Sequence, residues 1–487
     1  MRSLTVHSTT DSEILIAKDH IQDPASLALF PDELLAEIFS YGSAGPDGYS
    51  ETNIIKPDIE RAYAPIVRSS VCKRWREAAL ATSRLWHYVF IPRLSHSSGS
   101  WNNIVQHSIE LVLERSRSVP IDIGFEFVDA VVDNSSPSTV YGPIIESLRA
   151  HQSRWRRFVV RLCGRPAIMA LLHCLQGPTP MLRTLQLAQQ RFPEDWSLAI
   201  GYHDFLETDA DGQSTTTDVP CDILSNAPEL VWLTVGNIPD LLRRVAVTPE
   251  AGHVSLEYIA PSPDQSFWDH LRRNPQIERL MFGVADHTRL TQRIEPIAQP
   301  NLYRLWLTEG AFQLFADQPD LLDLPVIATL VLVYGKFVGL ELWLPRLASS
   351  LTFLDLQSVG ELDEMHVDAL SSLVNLDSLR VMSGTVPDAW LQQLCYVPDD
   401  EAEPVMWPLL ISLVLWKVKI EYVAEGRLVD LARMRGGVRT GELDTGSSQA
   451  SPRTRRWEVL TMFLSEMDSV PDTQLEEITA LCQRVVE

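Results

Sequence analysis

Two strings in this 487-residue sequence place reactive side chains together, and neither completes a catalytic set. Asp444-Thr445-Gly446-Ser447 offers a carboxyl of the kind that activates water when a second carboxylate shares its proton. No second Asp-Thr-Gly or Asp-Ser-Gly occurs, and the flanks are polar and glycine-rich where such chemistry needs an apolar strand. His173-Cys174 joins a base to a nucleophile, but neighbours on a helix point apart, so core or surface placement is expected for both. The phosphate-cradling glycine loops, H-E-x-x-H and G-x-S-x-G do not occur. The six cysteines include no C-x-x-C pair, which fits a reducing compartment and neither a disulfide framework nor a structural zinc site. The expectation is a chain that is not an enzyme, with no cofactor and no metal, whose chemistry is binding.

Charge narrows what it binds. The formal net charge is −23, a surface that repels phosphate backbones and anionic membranes. The basic runs Arg154 to Arg161 and Arg453 to Arg456 are short and read as solvated faces or loops. Residues Met1 to Lys18 mix charges into their apolar residues, unlike a signal peptide, and Leu324 to Tyr334 falls short of the roughly 20 apolar residues that span a bilayer. Partners among nucleic acids or membranes are therefore not expected, and the predicted location is cytoplasmic or nuclear. Asn134-Ser135-Ser136 is then a glycosylation sequon in form only, and Ser451-Pro452 is assigned no role.

The elements that could present a binding surface begin at Phe30. Pro31 suits a first helical turn, and Asp32 and Glu33 follow where the helix dipole favours negative charge. Leu34, Leu35, Ile38 and Phe39 then share a face at helical spacing, and the helix stops at Tyr41-Gly42-Ser43-Ala44-Gly45-Pro46. After a loop of about twenty residues, helical pattern resumes near Ala64-Pro65, with Ile66, Val67, Val71, Trp75, Ala78 and Ala79 on one face. A short third element holds Ser83-Arg84-Leu85-Trp86.

Three blocks in this stretch resemble the F-box, in the form common in mushroom-forming fungi: Pro31-Asp32-Glu33-Leu34-Leu35-Ala36-Glu37-Ile38-Phe39, Val71-Cys72-Lys73-Arg74-Trp75-Arg76 and Ala81-Thr82-Ser83-Arg84-Leu85-Trp86. The departures are Phe30-Pro31 in place of the usual Leu-Pro opening and a longer inter-helix loop. The resemblance implies that Pro31, Leu34, Leu35, Ile38, Phe39, Val71, Cys72 and Trp75 insert into the Skp-type adaptor of a cullin-based ubiquitin ligase, as helices into a groove. Trp75 and Val71 are equally compatible with an internal core, and Cys72 reads as a small buried apolar group.

Downstream, Asn103 to Glu114 reads as a helix, and Ile121, Ile123, Phe125 and Phe127 alternate as in a strand. The run from Leu113-Glu114-Arg115-Ser116 through Pro120 into that strand resembles the same family. One pattern then recurs, apolar-x-x-apolar-x-apolar: Trp155-Phe158-Val160, Leu182-Leu185-Leu187, Leu230-Leu233-Val235, Ile277-Leu280-Phe282, Leu302-Leu305-Leu307, Ile327-Leu330-Leu332, Leu351-Leu354-Leu356, Leu376-Leu379-Val381 and Leu410-Leu413-Leu415, with a weaker copy at His253-Leu256-Tyr258. Its step of about 23 to 25 residues lies in the leucine-rich repeat range. The double step from Leu182 to Leu230 suggests a degenerate copy near Phe205. Each triplet supplies a short strand that cannot bury its apolar side alone, so neighbours stack. The array resembles leucine-rich repeats, but their usual Asn three residues past the motif is replaced by Gln190, Ile238, Ala285 and Gly310.

The predicted fold is α/β: a tail over 1–26, a helical F-box over 27–92, and an irregular leucine-rich repeat α/β solenoid over 93–487. That solenoid has a mobile loop near 436–456 and closing helices over Trp457 to Met467 and Gln474 to Val486. The predicted function is a substrate receptor that binds the Skp adaptor, and through it a cullin ligase, and holds an unknown protein substrate on the repeats. Arg183, Gln186, Arg304, Trp306 and Trp416, lying between the inward apolar positions, are the candidate substrate contacts. The substituted opening and long loop favour the alternative, a repeat-based scaffold outside any ligase.

Overall fold

The computed structural model describes residues 31–41, 59–92, 99–126, 137–161, 177–188, 226–236, 254–260, 262–284, 293–360, 364–395, 409–421 and 459–464, with a few single positions between them. The described residues up to His270 belong to one compact unit and those from Leu271 to another. Asp444 to Ser447, His173-Cys174, the loop near 436–456, Gln474 to Val486 and the tail over 1–26 lie outside the described residues.

The first unit opens with helices α1 (Asp32–Tyr41), α2 (Ile59–Ser70) and α3 (Lys73–Ala81), then a 3-10 turn over Ser83–Trp86. The spacing predicts one helix running through Val71 and Trp75, but the chain breaks between them. Cys72 is extended (φ −156°, ψ 172°) and caps α3, its Sγ accepting from the Trp75 backbone N–H at 3.5 Å. The single apolar face expected of Ile66, Val67, Trp75 and Ala79 is thus divided between two helices. Leu35, Phe39, Ala78, Ala79, Leu85 and Trp86 form a small core, against which Trp75 and Val112 pack. The Trp86 indole donates to the Ala79 carbonyl at 2.8 Å, the partner a buried N–H requires.

Strand β1 (Tyr88–Ile91) leads into α4 (Gly99–Arg115), β2 (Ile121–Glu126), α5 (Pro137–Arg149), β3 (Trp155–Arg161), β4 (Thr184–Ala188), β5 (Trp232–Gly236) and β6 (Ser255–Ala260). The six strands pair in chain order, all parallel. Their register stacks Ile123, Phe158, Leu185, Leu233 and Leu256 in one row, and Val160, Leu187, Val235 and Tyr258 in the next. The recurring sequence motif is therefore a row-by-row alignment of inward side chains. Strand β4 pairs directly with β5, so the copies on either side of the double step are neighbours in the ladder, and the degenerate copy expected near Phe205 lies outside the described residues.

Helix α6 (Gln265–Arg273) carries the division between the units. The second unit runs through β7 (Arg279–Val284), β8 (Ile297–Ala298), β9 (Arg304–Thr308), α7 (Glu309–Asp317), β10 (Leu322–Asp323), β11 (Thr329–Gly335), α8 (Leu340–Leu347), β12 (Phe353–Val359), α9 (Glu364–Ser371), β13 (Ser378–Met382), β14 (Thr385–Pro387), α10 (Asp388–Cys395), β15 (Ser412–Glu421) and β16 (Val459–Leu464). Strands β7, β9, β11, β12, β13 and β15 form a parallel ladder that aligns Leu280, Leu305, Leu330, Leu354, Leu379 and Leu413. The same backbone hook joins successive turns: Tyr303 and Arg304 donate to the Glu278 carbonyl, Ala328 and Thr329 to Tyr303, Thr352 and Phe353 to Ala328, Asp377 and Ser378 to Thr352.

The side-chain amides that satisfy these turns precede the motif. Asn301 donates to the Pro275 carbonyl at 3.0 Å, and Asn375 to the Ala348 and Ser349 carbonyls at 3.3 and 2.9 Å. The repeat is thus a leucine-rich parallel strand whose turn amides come before the motif. The residues 457–467 contain a strand where a helix is predicted: β16 continues the ladder, pairing Leu413 with Leu460 and Leu415 with Met462. Trp457-Leu460-Met462 is in fact another copy of the motif.

Candidate protein-docking site

On α1 the apolar residues divide by face. Leu35 and Phe39 are buried, 1% and 2% exposed, while Leu34 and Ile38 are 49% and 52% exposed. The two pairs occupy different sides of one helix, each at a spacing of four. On α2, Ile59, Tyr63, Ile66 and Val67 are exposed, and Tyr41, Val71 and Leu80 extend the set. Half of the large apolar side chains exposed among the described residues lie between Leu34 and Leu80. Single exposed apolar residues are ordinary; a concentration at helical spacing is the mark of a surface completed by a partner.

Of the residues expected at the adaptor interface, Pro31, Leu34, Ile38, Val71 and Cys72 are exposed, and Leu35 and Phe39 are placed inward instead. Trp75 is half-buried, edge-on to Phe39 with centroids 4.9 Å apart. Leu35, Phe39 and Trp75 hold the helices that present the outer face. Cys72, expected to be buried, is an exposed free thiol serving as a helix cap. Tyr41, Ile59 and Tyr63 were missed by the motif; the legible signal was that α1 has apolar residues on more of its circumference than one core contact needs.

Three clamps fix the helix arrangement. Arg68 donates to the Phe39 carbonyl at 2.5 Å, Arg74 to Asp32 at 2.9 Å, and Arg76 to the Ser69 carbonyl at 3.0 Å. A fourth ties α2 to the first strands through Asp122, 1% exposed. Arg156 meets its carboxylate with two parallel N–H bonds of 2.8 Å, and Arg61 of α2 reaches it at 3.2 Å. Burial pushes the Asp122 carboxyl up, but the Arg156 hydrogen bond and charge, then His87 and Arg61, outweigh it and hold it below its ordinary value. His87 donates Nδ1–H to the Arg84 carbonyl, which leaves Nε2 to accept from Arg61. Burial lowers the His87 pKa, so it stands neutral here.

The basic run starting at Arg154 is thus structural, not a solvated face. Arg154 donates to the Ser116 hydroxyl and to the Arg117, Val119 and Leu113 carbonyls, satisfying the end of α4.

The candidate substrate contacts on the ladder separate. Arg183 is exposed and paired with Glu229 at 3.4 Å, Arg304 is half-buried, and Trp416 is 36% exposed. Gln186 and Trp306 are buried, contrary to the expectation of an open strand face. Trp306 stands in register between Met281 and Val331, and Gln186 between Val159 and Thr234. These strands bury both faces, as continuous apolar runs such as Leu330 to Val333 allow. Arg183 stands just before β4, Arg304 opens β9 and Trp416 lies in β15.

No group of three or more His, Cys, Asp or Glu side chains gathers among the described residues, and none of their helices is long and apolar enough to cross a membrane. No family model matches this chain, and no curated protein matches it. Solved structures that match include an internalin from Listeria monocytogenes, 12% identical, covering 77% of this chain and 94% of that one at a TM-score of 0.26. A superposition that loose assigns neither a function nor a partner.

Proposed function

We propose that the chain is an F-box substrate receptor of a Skp–cullin–F-box ubiquitin ligase, with residues 27–92 as the F-box and the parallel ladder as the part that holds a protein substrate. The observation that carries this reading is the apolar face left open on α1 and α2, in the stretch whose motifs resemble the F-box. Pro31, Leu34, Ile38, Val71 and Cys72 contact the adaptor, joined by Tyr63 and Val67; Leu35, Phe39 and Trp75 support them from inside. Burying such a row in a groove supplies affinity without hydrogen-bond geometry at each contact. The chain contributes proximity, and the transfer chemistry belongs to its partners. On the ladder, Trp416 and the exposed Arg183 are the retained substrate contacts, with Arg304 at the margin. A cytoplasmic or nuclear location follows from this reading.

The test is co-expression of the full chain with a Skp-type adaptor, followed by size-exclusion chromatography. A one-to-one complex is expected from the wild type. Leu34→Asp, at an exposed position, should leave the fold within about 0.5 kcal/mol and abolish co-elution. A folded wild type that never co-elutes would remove the ligase reading and leave a repeat-based scaffold.

A further inference from the structure

We propose that the junction between α1, α2 and the first strands is a binding site for a small phosphate-bearing anion. The cavity there has a volume of about 420 Å³, and its charged lining is Arg61, Arg84, Arg156 and Glu37. This volume is that of an ordinary small-molecule site. Three guanidinium groups on one cavity are out of keeping with a chain of net charge −23. Against them stand two carboxylates, Glu37 on the wall and Asp122 behind it, so the cavity keeps a positive balance with His87 neutral.

Arg61 and Arg156 are held before any ligand arrives. Both are anchored on the buried Asp122, and Arg61 also meets the His87 ring. A guanidinium fixed in this way loses little freedom on binding an oxyanion; the Arg156 fork is spent on Asp122, so Arg61 and Arg156 act through fixed positive charge and Arg84 supplies the fork that matches phosphate oxygens. Arg84 is exposed and makes no side-chain hydrogen bond within the described fold, so it can close over a bound anion. Val119 and Pro120 supply an apolar wall for the body of the molecule. Because the walls come from both the helical module and the strands, the ligand would stabilise their junction. Adaptor docking uses Leu34, Ile38, Val67 and Val71, none of which lines the cavity; Tyr41 belongs to both surfaces.

The experiment is a thermal melt and calorimetric titration of the full chain with pyrophosphate, at ionic strength held constant with chloride. The expected result is a rise in melting temperature for the wild type and saturable binding. Arg84→Glu should weaken that binding at least roughly tenfold, while Arg84→Lys keeps part of it. Arg293→Glu, on an exposed pair elsewhere, should leave it unchanged. An equal response in wild type and Arg84→Glu would mean general ionic stabilisation and overturn the proposal. So would no response in either, or binding of a phosphoserine peptide without binding of pyrophosphate.

Discussion

The helical module and the strand ladder handle apolar surface in opposite ways. In the ladder, inward rows such as Leu305, Leu330, Leu354 and Leu379 are fully buried, and residues of the alternate face, among them Trp306, Val331 and Val333, are buried too. In the module a core of six residues is closed while a comparable set remains outside. A parallel ladder completes itself by repetition, since each strand is covered by the next and by the returning segment. Three short helices have too little interior to do so. The ladder closes its own apolar surface, and the module leaves part of its apolar surface open.

The largest effect expected separates the two sides of α1. Phe39→Ala removes a buried ring that meets Trp75, and should cost about 3–5 kcal/mol. Urea unfolding followed by tryptophan fluorescence measures it. Leu34→Asp on the opposite side should barely move the same curve. Equal destabilisation by both would break the division into supporting and contacting residues. For that reason Phe39→Asp is a poor probe of docking, because it would unfold the surface it was meant to test.

A second prediction sharpens the account of the ladder. Glu257 on β6 is buried; Thr234 donates to its carboxylate at 2.9 Å and itself accepts from the Trp232 indole at 3.0 Å. Burial pushes the Glu257 carboxyl up to about 7, with the Thr234 hydrogen bond opposing. In the unfolded chain the group ionises near 4.5. Between these values the folded chain holds a proton that the unfolded chain has released. Stability from this group is therefore complete below pH 4.5 and falls as pH rises towards 7, by about 3 kcal/mol in all. Glu257→Gln lacks the titration. Melts at pH 5 and pH 8 should show the wild type losing most of that relative to the variant; parallel losses would mean that this strand face is wet.

Most of the ladder could be read before the structure, because a motif with three apolar positions fixes both a strand and its register. Ile277, Leu302, Ile327, Leu351, Leu376 and Leu410 are all buried, but each stands two residues before its strand and not in the strand as expected. The same rule applied at Trp457-Leu460-Met462 would have found β16, but the long step from Leu410 hid the period. What periodicity cannot say is which side of a strand meets solvent, so Gln186 and Trp306 were assigned to an open face that is closed. On α1 the motif located the helix, but four apolar residues in a row of six positions leave core and contact sides undistinguished. The Asp122 joint was not legible either, since its partners Arg61 and Arg156 come from distant parts of the chain and a lone carboxylate in a strand carries no pattern.

The smallest effect expected bears on the break between α2 and α3. Cys72 caps α3 through a thiol, a weak acceptor, at 3.5 Å. Serine is among the strongest N-cap residues, and its oxygen satisfies the same orphan N–H with a stronger bond. Cys72→Ser should therefore stabilise the module by about 0.5 kcal/mol, read as a small rise in the urea midpoint without a change in slope. Cys72→Ala, which keeps a small apolar group but no acceptor, should lower the midpoint by a similar amount. If serine destabilised and alanine did not, the thiol would be valued for apolar contact and not for capping. Because Cys72 also lies on the proposed docking face, the two substitutions give a second reading: adaptor binding should weaken in serine, which adds a polar group to the interface, while the helix it caps becomes more stable. Stability and docking would then move in opposite directions at one atom, which is what a residue serving both the closed core and the open face requires.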